Sequence, residues 1–142
     1  MSETDYVGPL TERQAGKLPD HLNLEWLEAR PSLVRGRFAV REHHMAPNGF
    51  MHAGSVVTLA DSACGYGCFI SLPAGGTGFT TVELKANFLG TGRLGDVIVT
   101  EARLIHGGRT TQVWDAEVKN ETAVQTIALF RCTQMVLYPK VD

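Results

Sequence analysis

The sequence predicts an α+β domain in which a curved antiparallel sheet wraps one long central helix, and three observations point that way. The first is the order of elements: a hairpin, one helix-length apolar segment, then a run of strand-like segments. The second is the chemistry of the later separators, short Gly- and Asn-bearing stretches that suit antiparallel neighbours. The third is a stripe of small residues, Ala60, Ala63, Gly65 and Gly67, which lets strands come close to the helix.

Taken in order, residues from about 10 to 20 read as a short amphipathic helix ended by Pro19. Leu22 to Ala29 alternates as a half-buried strand does, Pro31 and Ser32 turn the chain, and Leu33 to Val40 is the return strand. A polar loop, Arg41 to Met51, leads into the helix from His52 to Ser71. That helix stops at the breaker cluster Leu72-Pro-Ala-Gly-Gly-Thr-Gly78. Four strands follow, Phe79 to Leu89, Asp96 to His106, Thr110 to Asn120 and Ala123 to Leu137, and their separators suit a meander. One helix cannot cover both faces and both edges of such a sheet, so self-association is expected.

Composition narrows the function. The 142 residues are 44% hydrophobic and 20% charged, enough for one soluble domain with a continuous core. A formal net charge of -2, with no Lys or Arg run, offers nucleic acid no basic surface. The acidic start Met-Ser-Glu-Thr-Asp lacks the pattern of a secretory signal, which predicts a cytoplasmic protein. Ala53 to Leu72 reaches membrane-spanning length, but Asp61, Ser55, Thr58, Ser62, Ser71, Gly65 and Gly67 within it favour a buried helix. Cys64, Cys68 and Cys132 cannot all pair and read as reduced core thiols. His43, His44 and His52 cluster without a completing Cys or carboxylate, so no metal site is expected and they read as surface or loop histidines.

The chemistry concentrates in Asn48-Gly-Phe-Met-His52-Ala-Gly-Ser-Val-Val-Thr-Leu-Ala-Asp61. An acid inside an apolar helix is costly, and burial raises its pKa toward the range where it accepts protons. On a helical period Thr58, Asp61, Ser62 and Gly65 share one stripe, which leaves Asp61 facing a space that Gly65 does not fill. The alternative is an Asp that accepts hydrogen bonds from a neighbouring strand or subunit. The helix start adds free N–H groups near Ala53, Gly54 and Ser55, which suit a developing oxyanion. His52 reads as a base or as a helix cap. No Gly-x-Ser-x-Gly elbow is present, and Gly76-Thr-Gly78 follows a helix and precedes a strand, the reverse of a dinucleotide loop.

These residues resemble the hotdog-fold acyl-CoA thioesterases of the phenylacetate-pathway (PaaI-like) type over about residues 35 to 138. The most specific part is His52-Ala-Gly followed by Leu59-Ala-Asp61, similar to the family's His-Gly-Gly and Leu-Ala-Asp with the acid nine residues after the His. The resemblance implies a single hotdog domain over 1–142, with a helical extension at 1–21 and a core at 22–138. It also implies homodimers with joined sheets that pair into tetramers. It makes Asp61 the acid that attacks the thioester or activates water, the N–H of Ala53 the oxyanion donor with Gly54 beside it, and Asn48 the group that positions thioester and water. Thr81 matches a strand Ser or Thr reaching the water site from the partner subunit. Gly107-Gly-Arg-Thr110 resembles a turn that approaches coenzyme A phosphates, so Gly108, Arg109 and Thr110, with Gly65 at the acyl space, are its substrate-binding residues. No cofactor is implied; coenzyme A enters only as part of an acyl-CoA substrate. Two departures stand out: Ala53 replaces the first Gly, and the interval from Asn48 to His52 is shorter by two residues. A hotdog hydratase or dehydratase, and a non-catalytic acyl-CoA-binding module, are the competing readings. Phe50, Met51, Tyr66, Phe69 and Phe88 suit aromatic or medium aliphatic acyl chains, or merely fill the core.

Overall fold

A computed structural model describes residues 5–140, so the first four residues of the expected extension lie outside the described residues. Two short helices, α1 (Val7–Arg13) and α2 (Leu18–His21), precede the hairpin of β1 (Glu25–Arg30) and β2 (Leu33–Ala39). The core helix α3 spans Ala53–Ile70, followed by β3 (Gly78–Phe88), β4 (Val97–Gly107), β5 (Thr111–Asn120) and β6 (Gln125–Leu137). All pairings are antiparallel in one six-stranded sheet of order β1-β2-β4-β5-β6-β3, the hotdog arrangement of a sheet around a helix.

Three expectations are corrected. The N-terminal helix is two helices, because Gly16 takes a positive φ of 74° between them; Pro19 sits in the first turn of the second, where its missing N–H costs nothing. The first strand begins at Glu25 rather than Leu22, since Asn23 is left-handed (φ 57°). The last four strands are not a meander. The β4 edge that β3 was expected to occupy is taken by β2, whose Leu33–Ala39 pairs with Arg103–Val97. α3 carries the chain across the sheet, β3 lands beside β6, and the segment 89–96 returns past two strands to β4. Eight residues span that gap of roughly 15 Å at ~4.8 Å per strand.

The inner face packs on α3 through Val34, Phe38, Ile98, Ala102, Trp114, Val118, Ile127 and Phe130. Trp114 is wholly buried, and a Cβ placed on Gly67 would lie 2.5 Å from its ring, so only a glycine lets the helix lie against that ring. The extension covers part of the helix's other side. Gln14 Oε1 accepts from Trp26 Nε1 (2.8 Å) and Tyr66 Oη (3.1 Å), and the Arg13 guanidinium lies 4.4 Å from the Phe69 ring centre. α3 is long and apolar enough to cross a membrane by composition, yet half of it is buried within the protein.

Candidate active site

The start of α3 is set by residues that tie its first turn to the preceding loop. His52 is the N-cap (φ -67°, ψ 132°), and its Nδ1 accepts the Gly54 N–H at 2.7 Å. The Ser55 N–H goes to His52 O at 2.9 Å. Two of the three expected oxyanion donors, the N–H groups of Gly54 and Ser55, are therefore engaged within the helix start itself. Only the Ala53 N–H of the three has no partner among the described residues, and Ala53 is exposed with an ordinary negative φ, so the missing glycine costs the donor nothing. His52 takes the capping role, and with Nδ1 engaged only Nε2 faces outward chemistry.

Asp61 lies on the same helix, eight residues on and about 12 Å along its axis. Its Oδ1 is buried and has no hydrogen-bond partner among the described residues. Burial alone drives its carboxyl pKa up, with no donor to offset the cost. Within this chain no strand among the described residues donates to Oδ1, so of the two donors that the alternative allowed, a strand or a subunit, the strand is not found. The open space expected at Gly65 is also corrected: a Cβ there would meet Phe79 Cζ at 3.1 Å, so the β3 ring already occupies that side.

Thr81 Oγ1 donates to Gln134 Oε1 at 2.7 Å, beside a β-bulge between Thr81 and Glu83. Gln134 is fully buried, and sequence reading passed over it because a strand Gln carries no motif. Asn48 stands exposed in the loop with its Oδ1 accepting the Phe50 N–H at 3.1 Å, a local turn bond. The β4–β5 turn lies at the far end of α3, where Gln112 Nε2 donates to Ser71 O at 3.0 Å. Gly108 N–H bonds Thr111 O (2.9 Å), Thr110 O accepts Val136 N–H (2.9 Å), and the Arg109 carbonyl accepts from Tyr138 Oη. One protomer thus carries Ala53 and Asp61 on one helix and has the strand that follows the β4–β5 turn at the helix's other end, where Ser71 lies roughly 27 Å from Ala53 along the axis.

His44 also departs from expectation. It is wholly buried rather than a surface or loop residue, whereas His43 and His52 are exposed. The three thiols are free and buried; burial pushes Cys68 up to about 12 and Cys64 well above its usual range, so neither is a nucleophile near neutral pH. Among the described residues no group of three His, Cys, Asp or Glu side chains is placed to hold a metal.

Comparison with known proteins places this geometry in a family. Residues 48–127 match the thioesterase superfamily. The chain is 30% identical to the 1,4-dihydroxy-2-naphthoyl-CoA hydrolase of Listeria monocytogenes over 82% of this chain and 92% of that one. It is 35% identical to the acyl-coenzyme A thioesterase PaaI of Escherichia coli over 56% of this chain and 54% of that one. A Streptococcus mutans protein solved bound to acetyl CoA superposes with a TM-score of 0.75 at 28% identity, covering 84% of this chain and 92% of the other. The chain belongs to the thioesterase superfamily as a PaaI-like hotdog thioester hydrolase.

Proposed function

We propose that the protein hydrolyses an acyl-CoA thioester to a carboxylic acid and free coenzyme A, with Asp61 as the proton-accepting or nucleophilic carboxylate and the Ala53 N–H as oxyanion donor. The observation that carries this reading is the buried, unpartnered Asp61 Oδ1 on the helix whose first N–H is also open. As base, Asp61 takes a proton from water while the hydroxide oxygen bonds to the carbonyl carbon. The negative carbonyl oxygen rests on the Ala53 N–H; collapse breaks the C–S bond, and the proton passes from Asp61 to the thiolate. As nucleophile, the Asp61 carboxylate bonds to the carbonyl carbon and the C–S bond breaks, giving a mixed anhydride and the coenzyme A thiolate; water then cleaves the anhydride, which restores the carboxylate and supplies the proton that the thiolate takes up. No step in this reading draws on a metal or an organic cofactor.

Reacting atoms must approach to about 3–3.5 Å, and about 12 Å separates the two groups within one helix. The reading therefore pairs the Ala53 donor of one copy with Asp61 of a second. The sheet edges support that pairing. β1 carries a bulge and is capped by the Tyr6 N–H on Ala29 O, whereas β3 bonds only β6 and leaves Val82 (50%), Leu84 (42%) and Phe88 (47%) exposed. A dimer joined at β3 would put Thr81 beside the partner's helix, with Asn48 steadying the loop and Arg109 and Thr110 available to coenzyme A. Tetramer formation and a cytoplasmic location belong to the same reading, the latter supported by three unpaired thiols. The test is thiol release from a panel of aromatic, short and medium acyl-CoA esters by the native chain and by D61N. Loss of turnover of 10²-fold or more in D61N is expected; native turnover in D61N would overturn the assignment, and hydration of an enoyl ester without free thiol would replace the reaction.

A further inference from the structure

His44 sits where four parts of the chain meet, and none of the chemistry above uses its ring. The imidazole is wholly buried, stacked on Phe38 (centres 4.4 Å apart, 25° between planes) and covered by His43 at 4.1 Å. Its Nδ1 accepts the Arg41 N–H at 2.9 Å, so that nitrogen carries no proton, and its Nε2 donates to Leu22 O at 2.7 Å. The ring thus clamps the end of the N-terminal extension to the loop after β2. Its own carbonyl reaches the other way: His44 O accepts the His52 N–H at 2.9 Å and the Ser55 hydroxyl at 3.0 Å. Those two bonds fix the N-cap and the first turn of α3 on either side of Ala53.

We propose that His44 is the positioning residue of the oxyanion donor, a neutral clamp that holds the first turn of α3 so that the Ala53 N–H keeps its direction. This rests on the thioesterase reading for its catalytic consequence, though not for the clamp itself. The clamp has a built-in sensitivity to acid. A proton on Nδ1 would set two donors, the ring N–H and the Arg41 N–H, against each other at 2.9 Å. The charged or titratable neighbours are Arg41 and His43 from its own turn; β2 offers Phe38, the α2–β1 link offers Leu22 O, and α3 offers Ser55. No carboxylate pairs with the ring among the described residues. Burial first, with the charges of His43 and Arg41 adding to it, holds the ring below its ordinary value of 6.5 despite the Leu22 bond that favours the charged form. The native state therefore refuses a proton that the unfolded chain accepts, so the clamp is whole above about 6.5 and weakens as pH falls below it.

The experiment uses the full chain with H44L, which loses both ring bonds, and H44N, whose amide oxygen can stand where Nδ1 accepts and which does not titrate. H44L should lower kcat about tenfold or more with KM within about threefold, and H44N should recover part of kcat. In ring-nitrogen NMR of the native protein, His44 should keep the Nε2–H tautomer below pH 6.5, and exchange of the His52 amide should speed up as acid weakens the clamp. In H44N that acceleration should vanish, whereas the acid loss of activity that belongs to Asp61 should remain. Native kcat in folded H44L, or a ring that protonates near 6.5 with no change at the His52 amide, overturns the proposal. If the native chain releases no thiol from any acyl-CoA ester, the thioesterase reading falls while the two NMR measurements still decide the clamp.

Discussion

Ala53→Pro isolates one hydrogen bond donor, because proline removes a single N–H and the site tolerates its ring. Ala53 is the first residue of α3, the position at which proline is most welcome in a helix, and its N–H is bonded to nothing among the described residues. His52 already holds φ -67° and ψ 132°, the extended conformation that a residue before proline requires. The Ala53 side chain is exposed, so the pyrrolidine ring displaces no packed group. Folding should therefore lose little, less than about 1 kcal/mol, a Tm change within about 3 °C for a domain of this size. The reaction should lose the whole donor. Removing one oxyanion donor costs about 10²–10³ in kcat, or roughly 3–4 kcal/mol of transition-state stabilisation. Thiol release at saturating acyl-CoA, set beside thermal melts of both proteins, measures the two effects separately. A variant that melts as the native protein and turns over at native kcat would refute the argument that this N–H carries the developing charge.

Three further outcomes follow from the same geometry. D61N should melt a few degrees higher than the native chain at neutral pH, since it removes a buried charge with no partner at Oδ1. Because burial raises the Asp61 carboxyl above its ordinary 3.8, the native fold holds that proton more readily than the unfolded chain, so the gap should close as pH falls through the folded value toward 3.8 in melts run across pH. G67A and G65A should differ in sign: at Gly67 a Cβ meets the locked Trp114 ring at 2.5 Å, and overpacking of about 1–3 kcal/mol outweighs the roughly 1 kcal/mol of helix propensity gained. At Gly65 the Phe79 ring edge at 3.1 Å can yield by a few tenths of an ångström, so denaturant titration should show stability kept or raised. R109A should raise KM for an acyl-CoA by severalfold at low salt and leave kcat in place, the signature of binding that is uniform between substrate and transition state; an unchanged KM would remove Arg109 from the site.

The sequence by itself determined the core helix, the six strands and the acid, but not the break at Gly16 that splits the N-terminal helix. Helix limits were legible because His52 and the Leu72–Gly78 cluster punctuate a long stretch of small and apolar residues, and Asp61 stood out because a lone carboxylate there needs a reason. Alternation marked the first strand and Thr111 to Val118, and turn residues bounded the others, since these are signals between near neighbours in the chain. Tertiary structure decided what depends on contacts between distant residues: that β2 rather than β3 lies beside β4, that Phe79 fills the space over Gly65, and that Gln134 holds the Thr81 hydroxyl. It also decided which helix-start donor is left open and that His44, one of an adjacent pair, is the buried one. The physical reason is common to all of these. Burial and the satisfaction of polar groups are set by whatever the fold brings opposite a residue, and no local pattern in the chain encodes that partner.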